Sequence, residues 1–433
     1  MSPITVGWVG TLLMIVLFFT GLPIAYSMAL VGFAGFAYVV SFQAALNLLA
    51  RDIYSVYSSY GLTIIPLFVL MGQIACNAGV GRRLYDAAYK FLGRFPGGLA
   101  MATVAACTAF GTVCGSSPAT AATLAAVGLP EMKRYGYSDA LACGSVAGGG
   151  GLGMLMPPSV CMIVYGILTE QSIGKLFVAS IVPAVYITAW FVAAVAVYCM
   201  LRPKAGPAGP RFTWKEKLSS LAQMWETLLV FGGVMTGLFT GVFTPTEAGG
   251  MGAFLIILVV GLRRQLSPAL FVRSLFETLR TSCMVLFLIA GATLFGHFLA
   301  VTRIPFEVAG WVEGMSLPPW GLMLVIIGVY LVGGCFVDAL ALVMLTVPIF
   351  YPVVTGLGYD PIWFGVVIVL VTQMGVITPP VGINVFVVSA FARDVPIETI
   401  FEGTLPFLIA LILGTISLIA VPQIVTVLPS LMY

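Results

Sequence analysis

The sequence predicts an all-α, polytopic membrane protein, and three observations carry that prediction. Of 433 residues, 60% are hydrophobic and only 8% charged, whereas an ordinary soluble domain carries roughly 25% charged residues. Apolar runs of bilayer-crossing length, about 20 residues, recur from end to end: "WVGTLLMIVLFFTGLPIA" (8–25), "IVPAVYITAWFVAAVAVYCM" (181–200) and "LPFLIALILGTISLIAVPQIV" (405–425). Between such runs lie stretches rich in Gly and Pro that no isolated helix in lipid could tolerate, foremost "GGGGLGMLMPPS" at 148–159. A cleaved signal peptide would not explain runs that continue to the C-terminus.

Taken in order, hydropathy gives about ten to thirteen membrane segments. The clearest polar connection is "LRPKAGPAGPRFTWKEKLSS" at 201–220, with Arg202, Lys204, Arg211, Lys215 and Lys217 against the single acid Glu216. Excess Lys and Arg in a short loop places it on the cytoplasmic side. Two further basic stretches, "GRRLYDAAYKFLGRF" (81–95) and "GLRRQLSPALFVRSLFETLR" (261–280), mix charge and apolar residues at helical spacing. They are expected to lie along the interface as amphipathic helices, the alternative being solvated loops.

The basic linker divides the chain into halves that repeat. "LGMLMPPSV" (152–160) matches "MGVITPPVG" (374–382), setting Gly153 against Gly375 and Pro157 against Pro379 at an offset of 222 residues (379 − 157). Upstream of each break stands another interrupted segment, "GTVCGSSPATAATLAAVGLP" (111–130) and "LVGGCFVDALALVMLTVPIF" (331–350). The expected organisation is a first half at 1–200, with a hairpin near 108–135 and a break at 153–158. A linker follows at 201–222, then a second half at 223–433, with a hairpin near 331–355 and a break at 375–380.

In hydrocarbon every backbone polar group must be satisfied internally, so irregular backbone survives only inside protein or beside a water-filled cavity. Paired Gly/Pro breaks in corresponding positions of two halves are the sequence pointer to a secondary transporter's binding site. Freed carbonyls can coordinate a cation, while half-helix N-termini offer N–H groups to an anion. Ser116, Ser117 and Thr120 lie in the first hairpin segment, Thr378 and Asn384 at the second break. Their oxygens suit a hard cation such as Na⁺; helix packing is the structural alternative. Asp338, deep in "GGCFVDALALVML", is an intramembrane carboxylate and by default functional, the alternatives being a pair with an Arg or a cavity wall without a transport role. Glu247 in "TPTEAGGMGAF" suits a helix N-terminus. His297, the only histidine, suits an interhelical hydrogen bond.

Other function classes lose support. No GxxxxGK[ST] occurs, so ATP-driven pumping by this chain is not expected. A single histidine denies a His-built metal site or a Ser-His triad. The eight cysteines form no CxxC pair and are expected to be small buried hydrophobes. The pair "GYSD" (136–139) and "GYD" (358–360) faintly suggests an intramembrane aspartyl protease, but both acids sit in Gly-containing loops instead of apolar runs.

At these residues the chain resembles the large membrane subunit of the tripartite ATP-independent periplasmic (TRAP) transporters. The matching runs are "GSSPATAATLAAVGLPEMKRYGY" (115–137), "GGGGLGMLMPPSVCMIVYGILTEQSIGKLFVASIVPA" (148–184), "FTPTEAGGMGAF" (243–254) and "TQMGVITPPVGINVFVVSAF" (372–391). The resemblance implies an elevator-type fold with inverted repeats, about 11 transmembrane helices and two re-entrant hairpins, in a bacterial inner membrane. It implies Na⁺-coupled uptake of an organic acid, sialic acid and C4-dicarboxylates both being open, delivered by a periplasmic binding protein. The chain starts directly with the first helix of the large subunit, so a separate small four-helix membrane subunit is expected. Proton coupling is the alternative, and no nucleic acid is among the expected partners. The family's first Na⁺ site carries over onto Ser116, Ser117, Gly153, Met156 and Pro157, and its second onto Gly334, Gly375 and Thr378. Substrate contact is expected of Thr120, Asp338 and Asn384, which stand beside the breaks.

Overall fold

The computed structural model describes residues 2–304, 307, 310 and 318–432, and every regular element among them is helical. Six single helices are long and apolar enough to cross a membrane, and the pair Asp139–Leu155 and Val160–Leu168, bent by 40°, makes a seventh span. Shorter apolar helices include Pro3–Phe19, Ile24–Val39, Gly98–Cys114, Trp225–Phe239, Pro319–Gly334 and Pro361–Val376. Length and hydropathy alone do not separate spans from hairpin arms: Ala339–Gly356 passes the same test as Ile397–Ala420.

Each half contains the same series. In the first, Gly98–Cys114 and Ser117–Arg134 form a helical hairpin, followed by the broken span Asp139–Leu155/Val160–Leu168 and the long helix Ile173–Leu201. In the second, the hairpin is Pro319–Gly334 with Ala339–Gly356, then Pro361–Val376/Ile383–Phe391 and Ile397–Ala420. Both hairpins begin well before the expected limits near 108 and 331, because their first arms are uninterrupted apolar sequence in which only the tip carries a break. The faint protease-like pair is repeat symmetry. Ser138 and Asp360 are the N-caps of corresponding helices, again 222 residues apart (360 − 138).

Contacts at the helix ends show that the halves are inverted. The linker sits on the base of the first hairpin, where Gly97 N donates to Gly206 O (2.9 Å) and Ser138 N to Ala205 O (2.9 Å). At this end Lys133 pairs with Asp394, just past the second broken span. At the far end Tyr165 Oη donates to Pro361 O (2.5 Å), and Gln171 Nε2 to Tyr351 Oη (2.9 Å). The first hairpin therefore opens toward the linker and the second away from it, and the broken spans run antiparallel. From Leu141 to Leu155 and from Trp363 to Val376 every residue is buried, as an all-round apolar helix requires. These two segments are the centre of the molecule.

A second group of helices flanks this centre. Ile24–Val39 packs along Pro268–Thr302, and Tyr60–Asn77 along Pro245–Leu262. Gly32 permits the first contact, since a Cβ there would stand 2.8 Å from Phe295 N. Thr244 and Glu247 form a reciprocal capping box at the start of Pro245–Leu262, so Glu247 takes the helix-terminal role its position suggested. In the linker helix Trp214–Gln223, Glu216 does the same with Thr213, whose N–H and hydroxyl hold the carboxyl below its usual range.

The expected interfacial segments divide. Residues 81–95 contribute the amphipathic helix Val80–Leu92. Residues 268–280, however, belong to the single 35-residue helix Pro268–Thr302, which at about 1.5 Å per residue outreaches the hydrocarbon core and carries its charged turns beyond it. A second amphipathic helix, Phe42–Ser58, buries Asp52 against His297, with Nδ1 and Oδ2 2.9 Å apart. His297 thus makes the interhelical bond its position suggested. All eight cysteines are free thiols and six are buried.

Candidate functional site

The hairpin tips are built by local sequence. In the first, Gly115 takes a left-handed conformation (φ 65°) and Ser116 an extended one, so the chain reverses in two residues and Ser117–Arg134 begins. No side chain caps this helix, leaving the N–H groups of Ser117 and Ala119 to whatever approaches. In the second, Asp338 is the N-cap of Ala339–Gly356 and accepts from Leu340 N at 3.1 Å.

Each tip rests on the break of its own half, and small residues make this possible. A Cβ on Gly153 would lie 2.2 Å from Thr120 Oγ1 and 3.1 Å from Ser116 O, and one on Gly111 would be 2.9 Å from Gly153 Cα and 3.1 Å from Met156 Cβ. In the second half a Cβ on Gly375 would stand 2.3 Å from Gly334 C and 2.7 Å from Gly334 O. Val381 N donates to Cys335 O (3.3 Å), fastening that break to its tip. The structure therefore brings together Ser116, Thr120, Gly153 and Met156 as one group, and Gly334 and Gly375 as another. Pro157 is buried within the first break, and the tip approaches this break through Gly115, whose Cβ would lie 2.3 Å from Pro158 O; Ser117 is buried beside it in sequence. Thr378 follows Gly375, donating its hydroxyl to Met374 O at 2.6 Å.

Oxygen atoms at these crossings have capacity to spare. Thr120 Oγ1 is buried and has no nitrogen or oxygen hydrogen-bond partner, only the weak Cys114 thiol beside it. A hydroxyl kept dry without a partner is unfavourable by about 1–3 kcal/mol, a penalty that a coordinated cation would relieve. The Thr378 oxygen has lone pairs left after its single donation.

The halves are joined by Asn384, which is fully buried. Its Nδ2 donates to Ala147 O (2.9 Å) and its Oδ1 accepts from Ser117 Oγ (3.0 Å), tying the second broken span to the first and to the first tip. Gln373 touches the first span directly, since a Cβ on Gly151 would be 2.5 Å from its Nε2. The prolines do not make this link: Pro157 and Pro158 are buried, whereas Pro379 and Pro380 are exposed.

Both tips and both breaks reach one cavity of about 320 Å³. Ser116, Ser117 and Ala119 line it from the first tip, and Asp338 from the second. Cys161 and Val376 flank the two breaks, while Gln73 and Thr281 project from the outer helices. Of the three residues expected to touch substrate, only Asp338 lines this cavity; Thr120 and Asn384 stand behind its wall. Gln73 and Gln373 were not singled out in the sequence, although each is a polar interruption of an apolar run, "LFVLMGQIAC" (67–76) and "VLVTQMGVI" (369–377).

The family profile described as "Tripartite ATP-independent periplasmic transporter, DctM component" spans residues 11–424. The chain belongs to the TRAP transporter family as its large permease component. The permease is 37% identical over 383 residues to the C4-dicarboxylate TRAP transporter large permease protein DctM of Pseudomonas aeruginosa, covering 88% of this chain and 89% of that one. It is 31% identical to the sialic acid TRAP transporter large permease protein SiaM of Vibrio cholerae, covering 98% and 97%. The solved YdaH transporter of Alcanivorax borkumensis shares the fold at a TM-score of 0.57 and 15% identity, with 88% of each chain covered. The permease is thus a multi-pass inner-membrane transporter and not an enzyme.

Proposed function

We propose that the permease takes up an organic acid anion in symport with Na⁺, receiving it from a periplasmic binding protein and working with a small four-helix membrane subunit. The observation that carries this reading is the single cavity walled by both hairpin tips, both breaks and the outer helices. Such a cavity lets ion and substrate occupancy decide together whether the tips close. Main-chain and hydroxyl oxygens around Gly153 and around Gly375 would hold the cations. The uncapped first turn at Ser117 and Ala119 would receive the anion. An elevator movement of the hairpins and broken spans past the outer helices would expose the cavity on alternate sides. The relatives named above carry C4-dicarboxylates and sialic acid, so the cargo here is an acid of that general kind, and its binding protein would choose which.

Uptake into proteoliposomes is expected to require an inward Na⁺ gradient, the small subunit and the binding protein together. Thr378→Ala and Ser117→Ala are each expected to raise the half-saturating Na⁺ concentration about tenfold, the equivalent of about 1.4 kcal/mol, with membrane insertion retained. Full uptake driven by a pH gradient in Na⁺-free buffer would replace this reading with proton coupling. Unchanged Na⁺ dependence in both variants would overturn the assignment of the ion sites.

A further inference from the structure

A second concavity, of about 750 Å³, lies on the outside of the bundle between Ile173–Leu201 and Ile397–Ala420. Its walls are apolar, with Val197, Leu405, Ile409 and Leu413 all exposed along it. Its floor is kept low by Ala140, Ala194 and Ala410. Only one end is charged: Arg202 and Glu402 stand there together, on the linker side of the molecule. The Arg202 guanidinium lies over the Tyr198 ring (5.4 Å) and donates to its hydroxyl (3.2 Å). Glu402 has no ion-pair partner among the described residues.

The length of the groove identifies the kind of molecule that fills it. From Arg202 to Trp190 is 12 residues of helix (202 − 190), about 18 Å at 1.5 Å per residue. One leaflet contributes about half of a 30 Å hydrocarbon core, so an acyl chain entering at the interface runs the length of the groove. The charge pattern identifies the headgroup. Arg202 offers planar donors suited to a phosphate, and the Glu402 carboxylate, at the same end of the groove, needs a hydrogen-bond donor with positive charge. A glycerol headgroup would offer Glu402 hydroxyl donors but no positive charge; a quaternary amine would offer charge but no N–H.

We propose that this groove is a site for one phosphatidylethanolamine molecule of the leaflet facing the linker, its phosphate on Arg202, its primary ammonium on Glu402 and an acyl chain along Ala194 and Ala410. The site is independent of the cargo and of the coupling ion. It would bind lipid to the helices that carry the broken spans, so that these helices move through the membrane with a resident lipid.

The test is lipid retention by the full-length permease. The protein is reconstituted in liposomes of equal phosphatidylethanolamine, phosphatidylglycerol and phosphatidylcholine, extracted gently, and examined by native mass spectrometry. Wild type is expected to keep phosphatidylethanolamine about fivefold over either competitor, the factor that one interfacial charge contributes. Glu402→Gln should bring phosphatidylethanolamine and phosphatidylglycerol to parity, and Arg202→Gln should lower retention of all three lipids. Ala194→Phe, which fills the groove, should remove bound lipid while uptake and melting temperature report that the variant is folded. Retention in bilayer proportions by wild type, or an unchanged headgroup ratio in Glu402→Gln, would overturn the proposal. So would a cross-link showing that a second copy of the chain covers the groove.

Discussion

Gly375→Ala is expected to reduce cation-driven uptake about tenfold or more while leaving the permease in the membrane. The added Cβ would meet only backbone: Gly334 C at 2.3 Å, Gly334 Cα at 2.5 Å and Gly334 O at 2.7 Å. No side chain can rotate away, so the second hairpin tip must shift from its break. Overpacking of this kind typically disfavours the native arrangement by about 1–3 kcal/mol, and about 1.4 kcal/mol is a factor of ten in population. The displaced atoms include the Gly334 carbonyl proposed as an ion ligand, so the loss should be seen as a higher Na⁺ requirement before it is seen as unfolding. Gly153→Ala is expected to be milder. Its Cβ would approach Thr120 Oγ1 at 2.2 Å, a hydroxyl that a χ1 rotation can withdraw, and Thr120 Cβ at 2.8 Å, which it cannot, but no backbone atom comes nearer than Ser116 O at 3.1 Å. Gly250→Ala, with nothing within 4 Å of the new atom, is the control for alanine in a membrane helix. Gly375→Ala uptake equal to that control, at equal protein and equal Na⁺, would remove the tip-on-break contact from the mechanism.

The sequence made legible whatever is local or repeated. The capping box at Thr244 and Glu247 needs only residues three apart, and a Gly/Pro break in an apolar run is visible wherever it falls. Two breaks at one offset implied a shared site, and residues of both tips line one cavity. The first arms of both hairpins were not legible, because Gly98–Cys114 is buried on nearly all sides and therefore reads like any apolar segment. Residues 268–280 were misleading for the opposite reason: their charges signal an interface, which a helix of 35 residues reaches simply by outrunning the bilayer.

Long-range partners were beyond sequence reasoning altogether. Asn384 stands beside the second break and suggested a substrate contact, but its amide bridges Ala147 and Ser117, the latter 267 residues away. A buried primary amide has both donors and acceptors to satisfy, and here backbone and hydroxyl groups of the other half satisfy them. The proline pairs differ in exposure despite the repeat. Symmetry relates the two halves, but the linker, the amphipathic helices and the outer spans surround them unequally.

Glu226→Gln is expected to lower thermal stability more than any other single exchange of a charged side chain. Glu226 is 1% exposed and lies between two guanidinium groups, Arg83 of the amphipathic helix Val80–Leu92 and Arg263 at the end of Pro245–Leu262. Arg83 also donates to Ala78 O (3.1 Å), and Arg263 to Gln223 O (3.0 Å). The carboxylate therefore holds three separate elements at one point, just where the outer helices hand the chain to the first hairpin. Removing one member of a buried ion pair leaves an uncompensated charge and is unfavourable by about 3–5 kcal/mol. Arg83 and Arg263 keep 16% and 24% of their side chains exposed, which lets water soften the loss toward the lower figure. In detergent this should appear as a fall of about 5 °C in melting temperature, little changed by added salt, because a buried pair is poorly screened. The triple variant Arg83→Met, Glu226→Met, Arg263→Met should melt nearer to wild type than Glu226→Gln does, since replacing a whole buried cluster by apolar groups is often nearly neutral. A Glu226→Gln permease that melts within about 1 °C of wild type would mean that packing along Val80–Leu92, through Leu84 and Tyr85, holds this junction without the charges.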